Sequence, residues 1–157
     1  MNKLIINTDG GARGNPGPAG IGAVIRDEAE QIIGEYKQYI GEATNNVAEY
    51  KALILALQKA QEISNFKFQI SNTPSPLIPP PEGEGKGTVV LEIRMDSELI
   101  VRQMQGRYKI KEPTLKLLAG EVLMLIRHFK NVTFHHVPRE QNKEADKLVN
   151  EAIDAGI

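Results

Sequence analysis

The chain has 157 residues, enough for one compact domain with a substantial core. It is 41% hydrophobic and 25% charged with a net charge of −1, an ordinary globular balance without a global signature of nucleic-acid binding. It has no cysteine, which excludes disulfides and thiolate metal sites and leaves oxygen or imidazole to hold any metal. The longest apolar runs, 53–57 and 122–126, are too short to span a bilayer. The N-terminal residues enter strand-like sequence at once, so no signal peptide is expected and the cytoplasm is the expected location.

Residues 3–8 (KLIINT) read as a short buried strand running into Asp9. The stretch 9–20 (DGGARGNPGPAG) is so rich in Gly and Pro that it reads as a shaped turn. Residues 22–26 and 31–40 read as two further strands continuing an antiparallel meander. At Thr44 the period changes: Tyr50, Leu53, Ile54, Leu57, Ala60 and Ile63 fall on one helix face. Thr44, Asn45 and Asn46 suit the N-cap, which puts Glu49 in or near the first turn, where the helix dipole favours a carboxylate. Residues 71–87 hold five of the nine prolines and no amphipathic period, and read as an inserted surface loop within a single domain 1–157.

Residues 88–95 (TVVLEIRM) form another apolar strand that ends at an aspartate, Asp96. A short helix over 97–105, a basic loop over 106–112 and a long helix from Pro113 follow, the last marked by Leu115, Leu118, Val122, Leu125 and Phe129. Residues 132–137 read as a strand and 141–155 as the final helix, with Asp146 in its early turns. A meander followed by alternating strands and helices predicts an α/β fold with a mixed sheet. Arg102, Arg107, Lys109, Lys111 and Lys116 crowd one stretch, read either as a solvated loop and helix start or as a basic patch beside an acidic centre.

Asp9 and Asp96 each end an apolar strand, where α/β sheets gather ligands; Glu49 and Asp146 each lie near a helix N-terminus. If both helices pack on the sheet at that end, the four carboxylates converge, and a divalent cation is the simplest remedy for their repulsion. Magnesium fits best, as a hard cation that prefers oxygen ligands and keeps waters. Any one of these acids alone reads as a turn or cap residue.

The blocks Thr8-Asp9-Gly10-Gly11 with Gly14-Asn15-Pro16-Gly17, Thr44-Asn45-Asn46-Val47-Ala48-Glu49, Met95-Asp96-Ser97 and His136 to Asp146 occur in one order along the chain. This ordered set closely resembles type 1 ribonucleases H, in a bacterial or archaeal-like form. The resemblance implies a ribonuclease H-like fold: a five-stranded mixed sheet of order 3-2-1-4-5 with helices on both faces. It implies endonucleolytic cleavage of the RNA strand of RNA/DNA hybrids by a two-metal-ion mechanism, leaving 5′-phosphate and 3′-hydroxyl ends. Asp9, Glu49, Asp96 and Asp146 match the metal-binding acids, for two Mg2+ ions with Mn2+ as a substitute. His136 matches an auxiliary histidine for proton transfer or product release, with Arg139 as a rival for the role. Gly10, Gly11, Asn15, Thr44, Asn45, Asn46 and Asn142 match substrate-binding positions, suited to reading 2′-hydroxyls in a wide minor groove.

This chain departs from the best-known bacterial members in having only residues 106–112 where they carry an extra basic helix. Arg107, Lys109 and Lys111 are the candidates to replace that handle in part. The expected partner is the hybrid duplex, with no membrane and no obligate protein partner, and a monomer is expected. Two other readings differ in class: a catalytically silent hybrid-binding module, and another nuclease of the same superfold, of resolvase or transposase type.

Overall fold

Five strands, β1 (Lys3–Ala12), β2 (Gly17–Arg26), β3 (Ile32–Ala43), β4 (Val90–Met95) and β5 (Asn131–His136), form a mixed sheet in the order β3-β2-β1-β4-β5. The first three are antiparallel neighbours; β4 runs parallel to β1, and β5 parallel to β4. Among the described residues four α-helices accompany them: α1 (Asn45–Ser71), α2 (Glu98–Met104), α3 (Pro113–Ile126) and α4 (Lys143–Gly156). The structure, a computed structural model, describes residues 2–71 and 87–156, so the insertion expected at about 71–87 lies outside the described residues apart from its ends.

Strand alternation divides the apolar residues between two faces. Leu4, Ile6, Leu91, Ile93 and Met95 form the main core with Tyr50, Leu53 and Leu57 of α1, and with Leu115, Leu118 and Val122 of α3. Each fully buried aliphatic side chain contributes roughly 1.5–3 kcal/mol. Tyr50 is wholly buried and donates its hydroxyl to Gln103 Oε1 at 2.7 Å, which satisfies both polar groups. The third helix stops at Ile126, earlier than the apolar spacing predicts, and Phe129 enters the core from the turn beyond it. On the opposite face, α4 lays Ala145, Leu148, Val149, Ala152 and Ile153 over β1, β2 and β3. Helices therefore cover both faces, as expected.

The largest difference from the sequence reading lies at 9–20. Most of it is strand, and only residues 13–16 turn between β1 and β2. The glycines there serve close packing more than turning. A Cβ on Gly10 would stand 2.3 Å from the backbone C and O of Ala48, one on Gly20 would stand 2.8 Å from the carbonyl oxygen of Val149, and just beyond this stretch one on Gly22 would stand 2.8 Å from the carbonyl oxygen of Ala145. Missing side chains thus let α1 press on one face and α4 on the other. That approach brings both helix N-terminal regions to the same end of the sheet.

Candidate active site

The parallel pairing of β1 with β4 ends at Thr8 and Met95, so Asp9 and Asp96 are the next residues on adjacent strands. Asp96 follows the last residue of β4, as expected. Asp9 instead lies within β1, still paired with Gly22 of β2. Glu49 falls in the second turn of α1, since the helix begins at Asn45, and Asp146 falls in the first turn of α4. Thr44 caps α1, its Oγ1 accepting from the Val47 amide at 3.2 Å.

One carboxylate oxygen from each of Asp9, Glu49 and Asp96 lies within 4.8 Å of the other two. Asp146 stands outside that set of three, though its charge acts on Asp9. Burial first, then the charges of Asp96 and Asp146, push Asp9 up to about 8. Burial first, then Asp9 and Asp96, push Glu49 well above the usual carboxylate range, with the Gly10 amide opposing the shift. Asp96 is also raised, by burial above all, while the Asn142 amide and the charges of Arg139 and His136 hold it back. Glu49 Oε2 is buried without a hydrogen-bond partner among the described residues. Clustered oxygen donors whose charged forms are disfavoured, one of them orphaned, fit a hard divalent cation.

Residues around the acids fall into three groups. Asn15 and Asn45 fasten the β1–β2 turn to the start of α1: Asn15 Oδ1 accepts from the Asn45 amide at 3.0 Å, and Asn45 Oδ1 accepts from the Ala12 amide at 2.9 Å. Both are exposed, and their Nδ2 groups are not used in these bonds; Asn46 is half-buried beside them. His136 is the exposed last residue of β5, and Arg139 lies in a 3-10 turn, Arg139–Gln141, with Nη2 3.9 Å from Asp146 Oδ1. Arg107, Lys109 and Lys111 are exposed between α2 and α3, and none is ion-paired among the described residues.

With this geometry in place, relatives give it a family. A family model described as reverse transcriptase-like matches residues 7–68 and 85–152. The ribonuclease H of Ruthia magnifica is 31% identical over 164 aligned positions, covering 98% of this chain and 97% of that protein. The chain belongs to the ribonuclease H family. The crystal structure of LC11-RNase H1 in complex with an RNA/DNA hybrid, a protein isolated from compost by a metagenomic approach, has a TM-score of 0.80 and 50% identity, covering 98% of both chains. The bifunctional protein Rv2228c of Mycobacterium tuberculosis is 40% identical over 154 residues, covering 98% of this chain but only 36% of that protein. This chain therefore spans about a third of the mycobacterial relatives it matches. The family match leaves out residues 69–84, close to the insertion expected at 71–87.

Asn142 departs from its expected place among substrate-binding residues of this ribonuclease H fold. It is 1% exposed, donating Nδ2 to the Thr8 carbonyl at 2.9 Å and accepting from Asn7 at 3.0 Å. A side chain so enclosed suits holding the segment before α4 against β1 rather than meeting a duplex. Sequence reasoning passed over Asn7, Arg26 and Glu144, which continue this network. The one signal for it was Asn7 itself, an amide in an apolar strand, two positions before Asp9 and so on the same face. His135 is exposed, with Nε2 2.9 Å from Thr133 Oγ1.

Proposed function

We propose that this chain hydrolyses the RNA strand of RNA/DNA hybrids endonucleolytically, leaving 5′-phosphate and 3′-hydroxyl ends. The observation that carries the reading is the Asp9, Glu49 and Asp96 set within 4.8 Å, with Glu49 Oε2 orphaned and the charge of Asp146 acting on Asp9. These acids would hold Mg2+, two ions during catalysis, with Mn2+ able to substitute. When bound, the ions supply Lewis acidity and neutralise charge developing at the phosphate.

The chain's own residues supply orientation. Gly10 and Gly11 offer backbone at the site, while the Nδ2 groups of Asn15 and Asn45, unused in the bonds that fasten the turn, suit with Asn46 the hydrogen-bond acceptors on a duplex minor groove. Thr44, exposed at the start of α1, suits a phosphate of the DNA strand. Water adds to phosphorus as the bond to the 3′-oxygen breaks, and that oxygen leaves with a proton. His136 and Arg139 are the candidates beside it, His136 to move the proton and Arg139 to meet the phosphate charge.

The reading places the activity in a monomeric single domain over 1–157, acting in the cytoplasm. No described helix is long and apolar enough to cross a membrane. The test is one gel with labelled hybrid, duplex DNA and duplex RNA, each with and without magnesium. Magnesium-dependent cleavage of the RNA strand of the hybrid alone is expected. Binding without cleavage would make the chain a silent hybrid-binding module, and cleavage of duplex DNA would make it a nuclease of resolvase or transposase type.

A further inference from the structure

Behind the acids runs a line of polar side chains from β2 to the Thr8 carbonyl, buried at Asn7 and Asn142. Glu144 holds Nη2 of Arg26. Nη1 of Arg26 donates to Asn7 Oδ1 at 3.3 Å, and Asn7 Nδ2 donates to Asn142 Oδ1 at 3.0 Å. Asn142 Nδ2 donates to the Thr8 carbonyl at 2.9 Å, next to Asp9 in β1. Asn7 is 5% exposed and Asn142 is 1% exposed, so water cannot readily replace a mismatched partner.

An asparagine amide has nearly the same shape with its oxygen and nitrogen exchanged, so packing alone does not decide which end points where. The hydrogen-bond inventory of its neighbours does. A guanidinium only donates, which turns Asn7 Oδ1 towards Arg26 and leaves Nδ2 facing Asn142. That turns Asn142 Oδ1 towards Asn7 and leaves its Nδ2 for the Thr8 carbonyl, an acceptor. The line begins at a donor that cannot accept and ends at an acceptor that cannot donate. Only one joint orientation of the two amides satisfies every link. Reversing either sets N–H against guanidinium or oxygen against carbonyl oxygen.

We propose that Arg26 and Asn7 are positioning residues that fix the orientation of the Asn142 amide and, through its bond to the Thr8 carbonyl, hold the adjoining Asp9 aligned for a divalent cation. This rests on the proposed metal-dependent function, and deepens it by adding residues that touch neither substrate nor cation. Partners at this remove from a ligating group typically alter metal affinity or activity by about 10–100-fold.

The discriminating variant is Asn7→Asp, which keeps shape and strengthens the bond to Arg26 but removes the donor that Asn142 needs. The expected result is a folded protein with Mg2+ affinity at least about tenfold weaker by calorimetry and kcat about 10–100-fold lower, with hybrid KM within about twofold. Parental Mg2+ affinity in folded Asn7→Asp, or a loss confined to KM, would overturn the proposal. Arg26→Gln gives a graded second reading, because a glutamine amide can present either end and leaves Asn7 free to turn; parental Mg2+ affinity there would also count against the relay. The unaltered protein decides the case should both variants fail to fold. Its Asn142 side-chain amide is expected to show slow solvent exchange and a through-hydrogen-bond coupling to the Thr8 carbonyl by NMR, and absence of that coupling sinks the idea. Calorimetry and NMR need no cleavage, so an intact relay in a chain that fails to cut hybrid would refute the proposed function and not this assignment.

Discussion

Gly10 and Gly11 are neighbours in one sequence block, yet their surroundings predict opposite responses to Ala. A Cβ on Gly10 would lie 2.3 Å from Ala48 C and O and 2.6 Å from Glu49 N, all backbone atoms of α1 that cannot rotate away. Restoring ordinary contact means moving that turn of α1 by about 1 Å, and overpacking of this kind costs on the order of 1–3 kcal/mol. For a chain of this size, 3 kcal/mol lowers the melting temperature by about 6–12 °C. The same shift carries Glu49 away from Asp9, and a displacement of about 1 Å can lower kcat on the order of 100-fold. For Gly11 the nearest atom to a new Cβ is Val149 Cγ1 at 3.8 Å, an ordinary contact, so the melting temperature of Gly11→Ala should stay within about 2 °C of the parent. Thermal melts of both variants, with hybrid cleavage by Gly10→Ala, are the assay. A Gly10→Ala protein with the parent's melting temperature and kcat would refute the argument that glycine here exists to let α1 approach.

Two further outcomes follow from charge. Because folding raises Asp9 from 3.8 to about 8, its contribution to metal-free stability is fully present below about pH 4 and is lost as pH rises through about 8. In EDTA, Asp9→Asn should therefore melt near the parent at pH 4 and above it at pH 8, by an amount worth several kcal/mol; it should also abolish hybrid cleavage, and either a parental melting curve at pH 8 or kcat within about tenfold of the parent would count against the assignment. Changing Arg107, Lys109 and Lys111 together to Gln should raise hybrid KM at nearly constant kcat and flatten the log–log salt dependence of binding, measured in calcium, by about one unit for each phosphate no longer neutralised; an unchanged slope would make the patch a solvated surface.

What was legible in the sequence followed from local rules. Apolar alternation located the strands, the 3.6-residue spacing located α1 and α3, and Pro113 marked a helix start that the structure keeps. What misled was glycine. In 9–20 it carries the usual signature of a turn, whereas at Gly10 and Gly20 it answers to helices that arrive 38 and 129 residues later, as the approach of Ala48 and Val149 shows. No local window contains that information. The acids were readable because their chemistry is unusual in combination, but Asn142 was assigned by resemblance alone, and its burial depends on Asn7 more than a hundred positions away. Arg26 was equally hidden: at the end of a strand it reads as an ordinary exposed cation until the partner amide is placed beside it.

The site also joins cation binding to proton release. Its acids come from β1, β4, α1 and α4, each anchored elsewhere by packing, so the repulsion among them cannot relax by moving one element. It must be relieved at the carboxylates, by a proton or by a cation. Without metal, burial and the neighbouring charges favour the protonated forms of Asp9, raised to about 8, and of Glu49, raised well above the usual carboxylate range. A divalent cation needs the charged forms and must displace these protons. Mg2+ affinity should therefore climb as pH rises towards about 8 and climb less steeply beyond it. Calorimetric titration at pH 7 in two buffers of different ionisation enthalpy should give different apparent heats, corresponding to release of about one proton or more. Heats that do not depend on the buffer would mean that the carboxylates are already charged before the metal arrives, and that burial in this cluster does not hold protons as argued.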